Sequence, residues 1–182
     1  TISCQPAWST YLVTSPVIKL ETAGTPLYPD SPNPIRYLYR GFDNQWHIYN
    51  ALIIVARNYR NNKIASIALA RQVDLAASAD FKSIQLKASG DGHDPRSYDG
   101  YKVWPKFGFD APLPQMFIDR LSTAGQSSIL STLKSQTIAS LLKTDRGKHL
   151  WDTHGCECAM ELDLRSGSVL SRFKSYCEEI GL

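Results

Sequence analysis

Hydrophobic positions along this chain change period several times, and each change marks a new element. Residues 17–23 alternate, with Ile18 and Leu20 set against Lys19 and Glu21, and predict a strand. A second strand follows over 35–41, where Ile35, Tyr37 and Tyr39 share one face. Phe42-Asp43-Asn44 carries the residue types of a hairpin turn and leads into a longer strand over 45–55. The period then becomes helical. Residues 62–79 place Ile64, Ile67, Ala68, Val73, Ala76 and Ala77 near 3.6-residue spacing, and Asp80-Phe81 closes the helix. Alternation returns at 82–88, with Ile84 and Leu86 opposite Gln85 and Lys87.

A polar loop over 89–99 separates this first block from an aromatic segment over 100–110. Helices are predicted at 114–121 and 127–142, the second with Ile129, Leu130, Leu133, Ile138 and Leu141 as its apolar stripe. A third, shorter helix at 146–154 is centred on Leu150 and Trp151. Met160, Leu162 and Leu164 alternate in a late strand over 159–164. The Ser166-Gly167-Ser168 turn then opens a final helix over 169–180, with Val169, Leu170, Phe173, Tyr176 and Cys177 on one side. The late strand is expected to finish the sheet. The helices of 112–155 form an insertion, either an acceptor or partner surface or a plain extension of the core.

The chemistry concentrates in 55–65. A hydrophobic strand (Ala51, Leu52, Ile53, Ile54, Val55) runs through Arg57, Arg60 and Lys63 into a helix. Such a junction aims unpaired backbone N–H groups and the positive end of a helix dipole at one point, where a phosphate or pyrophosphate can sit. Asn61 or Asn62 is a candidate cap. An ordinary strand-to-helix connection with a solvated basic turn fits the same residues.

Strand, basic turn, helix, strand, then an aromatic segment ending in Gly-Phe: over about 35–111 this order resembles the core of the GNAT acyltransferase superfamily. That family commonly shows V-x-P-x-x-R/Q-x-x-G-x-G/A, and Val55, Arg60 and Ala65 stand at the matching places. Phe107-Gly108-Phe109 looks like the family's Leu-Gly-Phe ending. Lys63 stands where the family usually has glycine, and Trp104 where it often has a tyrosine.

The resemblance implies an α+β fold in one domain, 1–182: a GNAT-like mixed, centrally splayed sheet flanked by helices, with the 112–155 insertion before the last strand. It implies an acyl-CoA-dependent N-acyltransferase that moves an acetyl group from acetyl-CoA to an amine of a small molecule, a protein or an aminoacylated RNA. Ile54 and Val55 would pair with the pantetheine arm. Arg57, Arg60, Asn61, Asn62, Lys63, Ile64 and Ala65 would surround the pyrophosphate. Tyr101 is the candidate proton donor to the departing thiolate; the alternative is that it simply packs in the core. His47, on the same strand face as Tyr49, Ala51 and Ile53, is the candidate base. Asp91, Asp94 and Asp110 are further candidates that also read as solvated or capping residues. Pairing through last strands, common in the family, would make a homodimer. A second class of function is a catalytically inactive GNAT-like binding module, or an effector or toxin domain, that works by holding a macromolecule.

Composition narrows these readings only a little. A chain of 182 residues, 43% hydrophobic and 20% charged, can bury a core without disulfide or metal staples. A net charge of +3 does not by itself point to nucleic acid. No apolar run reaches membrane-spanning length, so a cytoplasmic protein is expected. Cys4, Cys156, Cys158 and Cys177 are expected to be reduced. His154-Gly155-Cys156-Glu157-Cys158 admits three readings: a zinc site, a Cys–His nucleophile using His149 or His154, or a strand with both thiols on one buried face. No metal is assigned, because no full ligand set is visible.

Overall fold

The computed structural model describes residues 17–21, 35–52, 63–94, 98–126, 128–129, 133 and 136–182. Five strands and six helices occur among them: β1 (Ile18–Glu21), β2 (Ile35–Arg40), β3 (Trp46–Leu52), α1 (Ile64–Ser78), β4 (Ser83–Asp91), α2 (Gly100–Val103), α3 (Gln115–Thr123), α4 (Ile138–Leu141), α5 (Asp145–His154), β5 (Cys156–Asp163) and α6 (Gly167–Glu179). A 3₁₀ turn, Trp104–Phe107, follows α2. The strands form one sheet in the order β1-β2-β3-β4-β5. β1 with β2 and β2 with β3 are antiparallel, whereas β3 and β4 run parallel. The sheet is therefore mixed, and the α+β class expected from the sequence holds.

Local chemistry explains most boundaries. The β2–β3 hairpin turns on Phe42-Asp43-Asn44, with Asn44 in the left-handed region at φ 64 and the Asn44 amide donating to the Gly41 carbonyl. Asparagine tolerates that conformation better than most residues. At the end of α1 the Asp80 amide donates to the Ala77 carbonyl and the Phe81 amide to Ala76, with Asp80 at φ 56. That is a Schellman cap. Gly125 and Gly181 close α3 and α6 in the same way.

Four elements differ from expectation. The helix expected over 127–142 is interrupted at Thr137, which is extended at φ −101, ψ 165, pairs with Pro112 and caps a new helix, α4, and β4 runs to Asp91, three residues into the expected polar loop. The buried residues of α1 are Leu69, Val73 and Ala76, while Ile67 and Ala77 are exposed. Residues 69, 73 and 76 are spaced i, i+4, i+7 and define the buried stripe; the expected stripe mixed two faces because α1 is apolar nearly all round. β5 starts at Cys156, three residues earlier than expected, with Cys156, Met160 and Leu162 buried and Glu157 and Ala159 exposed. Period-2 alternation runs unbroken from Cys156, so both thiols lie on the inward face.

The chain divides into two compact units, Thr1–Leu86 with Asp163–Leu182, and Lys87–Leu162. In the first, Ile48, Tyr49, Leu69, Val73, Ile84, Leu86 and Phe173 are buried. Asn50 and Gln72 join β3 to α1 through two amide–amide hydrogen bonds. In the second, Trp151 is the hub. Its ring centroid lies 5.2 Å from Phe117 and 6.0 Å from Tyr101, and its Nε1–H donates to the Tyr101 carbonyl at 3.0 Å. Satisfying the one polar atom of so large a side chain is what makes its full burial favourable. The expected insertion, 112–155, corresponds to α3, α4 and α5 of this unit, which lie between β4 and β5 in the chain.

Candidate functional site

The head of α1 is built by an unusual residue in an unusual conformation. α1 starts at Ile64, so its N-cap is Lys63 rather than Asn61 or Asn62; Lys63 lies at φ 58, ψ 9, and its side chain makes no capping hydrogen bond. Left-handed backbone costs a non-glycine residue about 1–2 kcal/mol. A left-handed residue followed by right-handed ones turns successive amides toward a common point, an anion-binding concavity at the positive end of the helix dipole. No acidic side chain occupies the first turn. The Lys63 ammonium does not fold over this concavity. It leans toward the end of α6, where a Cβ on Gly181 would meet the Nζ at 3.1 Å. Ile64 and Ala65 form the first helical positions; Ile54, Val55, Arg57, Arg60, Asn61 and Asn62 lie outside the described residues.

His47 sits on β3 with 6% of its surface exposed. Its Nδ1 lies 2.8 Å from Ser83 Oγ and its Nε2 lies 3.2 Å from Asp43 Oδ1. Asp43 also accepts from Lys82 Nζ at 2.6 Å, and that ammonium, ahead of the Gln45 amide and His47, holds its carboxyl far below the usual carboxylate range. An ionised carboxylate only accepts hydrogen bonds. The neutral imidazole therefore carries its proton on Nε2, and Nδ1 accepts from the Ser83 hydroxyl. The ring stacks on Tyr39 at 5.2 Å, and Tyr39 donates to Gln85 Oε1 at 2.6 Å. The His47 and Tyr49 face, which alternation left open between core and cleft, is thus buried at these positions, with His47 internally hydrogen-bonded. Ala51 on the same face is exposed.

Tyr101, in the other unit, is 2% exposed. Its hydroxyl donates to the Asp152 carbonyl at 3.3 Å, and a Cβ on Gly155 would meet its ring at 2.7 Å. Trp104 packs its ring against Phe107 and Phe109. Asp110 accepts from the Ala111 and Ala139 amides and so anchors the start of α4, as a capping residue would.

A second polar cluster was not assembled by sequence reasoning. Arg120 on α3 donates to Asp91 Oδ2 at 2.6 Å and to the His154 and Gly155 carbonyls at 3.3 and 3.0 Å. Its guanidinium holds the Asp91 carboxyl below its ordinary value. His93 Nε2 lies 3.2 Å from His154 Nδ1, with the rings edge to face. Burial, then the neighbouring His93 and Arg120, lowers His154 from its ordinary value. The pairing spans 61 residues, so no local motif could reveal it. Among the described residues no three His, Cys, Asp or Glu side chains gather as a metal site. Burial raises the Cys156 thiol and pushes Cys158 up to about 12, so both keep their protons at neutral pH. Neither has the thiolate character of a nucleophile.

A cleft of about 600 Å³ runs between α1 and α6, with Ile67, Ala70 and Phe173 along it and Arg71 and Lys174 among its charged residues. Among the described residues, no helix is long and apolar enough to cross a membrane.

Comparison with known proteins returns nothing: no family model, no curated protein and no solved structure matches this chain.

Proposed function

We propose that this chain is an acyl-CoA-dependent N-acyltransferase, with the coenzyme's pyrophosphate at the head of α1 and acetyl-CoA as the donor. The observation that carries this reading is the backbone of Lys63. At the position where the GNAT pattern has glycine, this residue adopts the left-handed conformation that glycine favours, directly ahead of a helix that its own side chain does not cap. Backbone conformation, rather than residue type, is what a phosphate cradle requires, and the lysine side chain leans away from it. Arg57 and Arg60 would add charge-assisted hydrogen bonds to the pyrophosphate.

The parallel pairing of β3 with β4 supports the same reading. It joins His47–Asn50 to Ser83–Leu86, and β3 continues through Ala51 and Leu52. A centrally splayed sheet would leave the backbone of the continuing chain, at Ile54 and Val55, for the pantetheine arm. In this reading an amine of a small molecule, a protein or an aminoacylated RNA attacks the thioester. Its proton goes to a base, for which His47 is the candidate, and the departing thiolate takes a proton from Tyr101. For His47 to accept, the Ser83 hydroxyl must first leave Nδ1, the nitrogen that carries the lone pair of the neutral ring.

One observation favours the second reading, a silent module that binds without turnover: both His47 and Tyr101 are buried and already hydrogen-bonded. Isothermal titration with acetyl-CoA separates the two. Binding in the micromolar range, about −8 kcal/mol, lost in Arg60→Glu and retained in Lys63→Gly, is the expected result. No heat at millimolar coenzyme would remove the acyltransferase reading. With binding established, coenzyme release in the presence of an amine panel should fall in Tyr101→Phe and His47→Gln without loss of affinity. Unchanged rates would free both residues from proton transfer.

A further inference from the structure

We propose that His93 and His154 form a proton-counting latch: with one proton shared between the two facing nitrogens they hold the 92–94 turn to the end of α5, and a second proton drives them apart. This proposal stands apart from the coenzyme reading.

A nitrogen–nitrogen distance of 3.2 Å requires one N–H and one lone pair between the rings. When both imidazoles are protonated, two N–H groups point at each other and the contact turns repulsive. The charges acting on His154 add to that repulsion. The charged groups acting on His154 are His93, Arg120 on α3 and His149 earlier on α5, all cationic or able to become so. Asp91 on β4 is a carboxylate that attracts a charged His93, but Arg120 holds it first and the His93 amide donates to it at 2.8 Å; Asp94 follows His93 in the turn. Cys156 on β5 keeps its proton and supplies no counter-charge. Burial adds to the cost of a second charge, since it disfavours the cationic form of His154.

The same turn is tied to α5 by one backbone bond, from the Gly92 amide to the Gly155 carbonyl at 2.9 Å. Arg120 donates to that carbonyl and to the His154 carbonyl, so it fixes the α5 side of the junction independently of the imidazoles. Opening of the histidine pair therefore releases the turn and exposes the Gly92 amide, while the Arg120–Asp91 pair stays closed.

Amide hydrogen exchange followed by NMR on the whole chain reads this event. After correction for intrinsic exchange, protection of the Gly92 amide should fall at least about tenfold between pH 7.5 and pH 5.5. The Ile84 amide, in the middle of the sheet, should not change over that interval. The imidazole nitrogen resonances should take up two protons in separated steps, as coupled sites do. His154→Gln removes the pH dependence of Gly92. His93→Gln, at an exposed position, does the same should the first variant fold poorly. Equal Gly92 protection at the two pH values, or a pH dependence that survives either substitution, overturns the latch.

Discussion

Asn50 on β3 and Gln72 on α1 exchange two side-chain amide hydrogen bonds, each 2.9 Å long. Asn50 is only 3% exposed, so its amide has no water to turn to. This pair pins the crossover helix to the strand it leaves, and with it the orientation of the α1 head. Asn50→Leu leaves Gln72 unpaired against the sheet, and the expected loss is about 1–3 kcal/mol. The double variant Asn50→Leu, Gln72→Leu should recover much of that loss, because neither amide is then stranded. Urea unfolding of the two singles and the double gives the coupling. Additive losses would show the bonds to be incidental.

Lys63 at φ 58 predicts an opposite effect. Lys63→Gly removes left-handed strain of about 1–2 kcal/mol and loses about 0.5–1 kcal/mol to the greater freedom of the unfolded chain. A net gain of up to about 1.5 kcal/mol in thermal unfolding is expected. Lys63→Val, β-branched in the same conformation, should destabilise by more than the glycine stabilises. If valine is tolerated as well as glycine, Lys63 is not left-handed in solution.

Asp43 sets an acid limit. Its folded carboxyl is held far below the usual range by Lys82 first, whereas the unfolded carboxyl titrates near its ordinary value of about 3.9. Between those two values the unfolded chain binds the extra proton. The stabilisation is thus present above about pH 4 and is lost as pH falls below it. Asp43→Asn should flatten this part of the curve. Unfolding midpoints in urea across pH 2–7, compared with the parent, measure the difference. The group is about a third exposed, so solvent screening keeps the effect small.

The thiols predict a protection pattern. Cys156, Cys158 and Cys177 are unpaired, and burial raises all three, Cys158 to about 12. Iodoacetamide reacts with the thiolate. At pH 8 the folded chain should lose these three sites to alkylation far more slowly than the chain in guanidinium, as read by peptide mass spectrometry. Fast labelling of Cys156 in the fold would contradict its position on the inward face of β5.

Gly41 gives a steric test of the His47 arrangement. A Cβ there would meet Asp43 Oδ1 and His47 Nε2 at 2.8 Å each, closer than real side chains approach. Gly41→Ala should therefore break the Asp43–His47 contact and lower the melting temperature, and a His47→Ala background should relieve most of the loss. Equal losses in both backgrounds would separate Gly41 from His47.

Periodicity alone located the hairpin at Phe42-Asp43-Asn44, the crossover helix and the late strand, because turn chemistry and alternation are local properties of a few neighbouring residues. It misread the buried face of α1, where alanines and aliphatics surround the helix and the burial of Leu69, Val73 and Ala76, with the pairing of Asn50 and Gln72, shows which side faces inward. The conformation of Lys63 was invisible for a related reason: lysine carries no left-handed preference, so the glycine-like backbone at this position is imposed by its surroundings rather than by its side chain.

What the amino-acid order settles by itself is where strands, turns and helices lie, since each is a matter of spacing and of the φ/ψ values its own residues accept. Which charges and rings meet is different. His93 with His154, Arg120 with Asp91 and His47 with Ser83 are 61, 29 and 36 residues apart, and only the folded chain brings them within hydrogen-bond reach. A side chain's partner and its exposure to water are set by distance in space, and these decide which of the chain's reactive groups remain free to act.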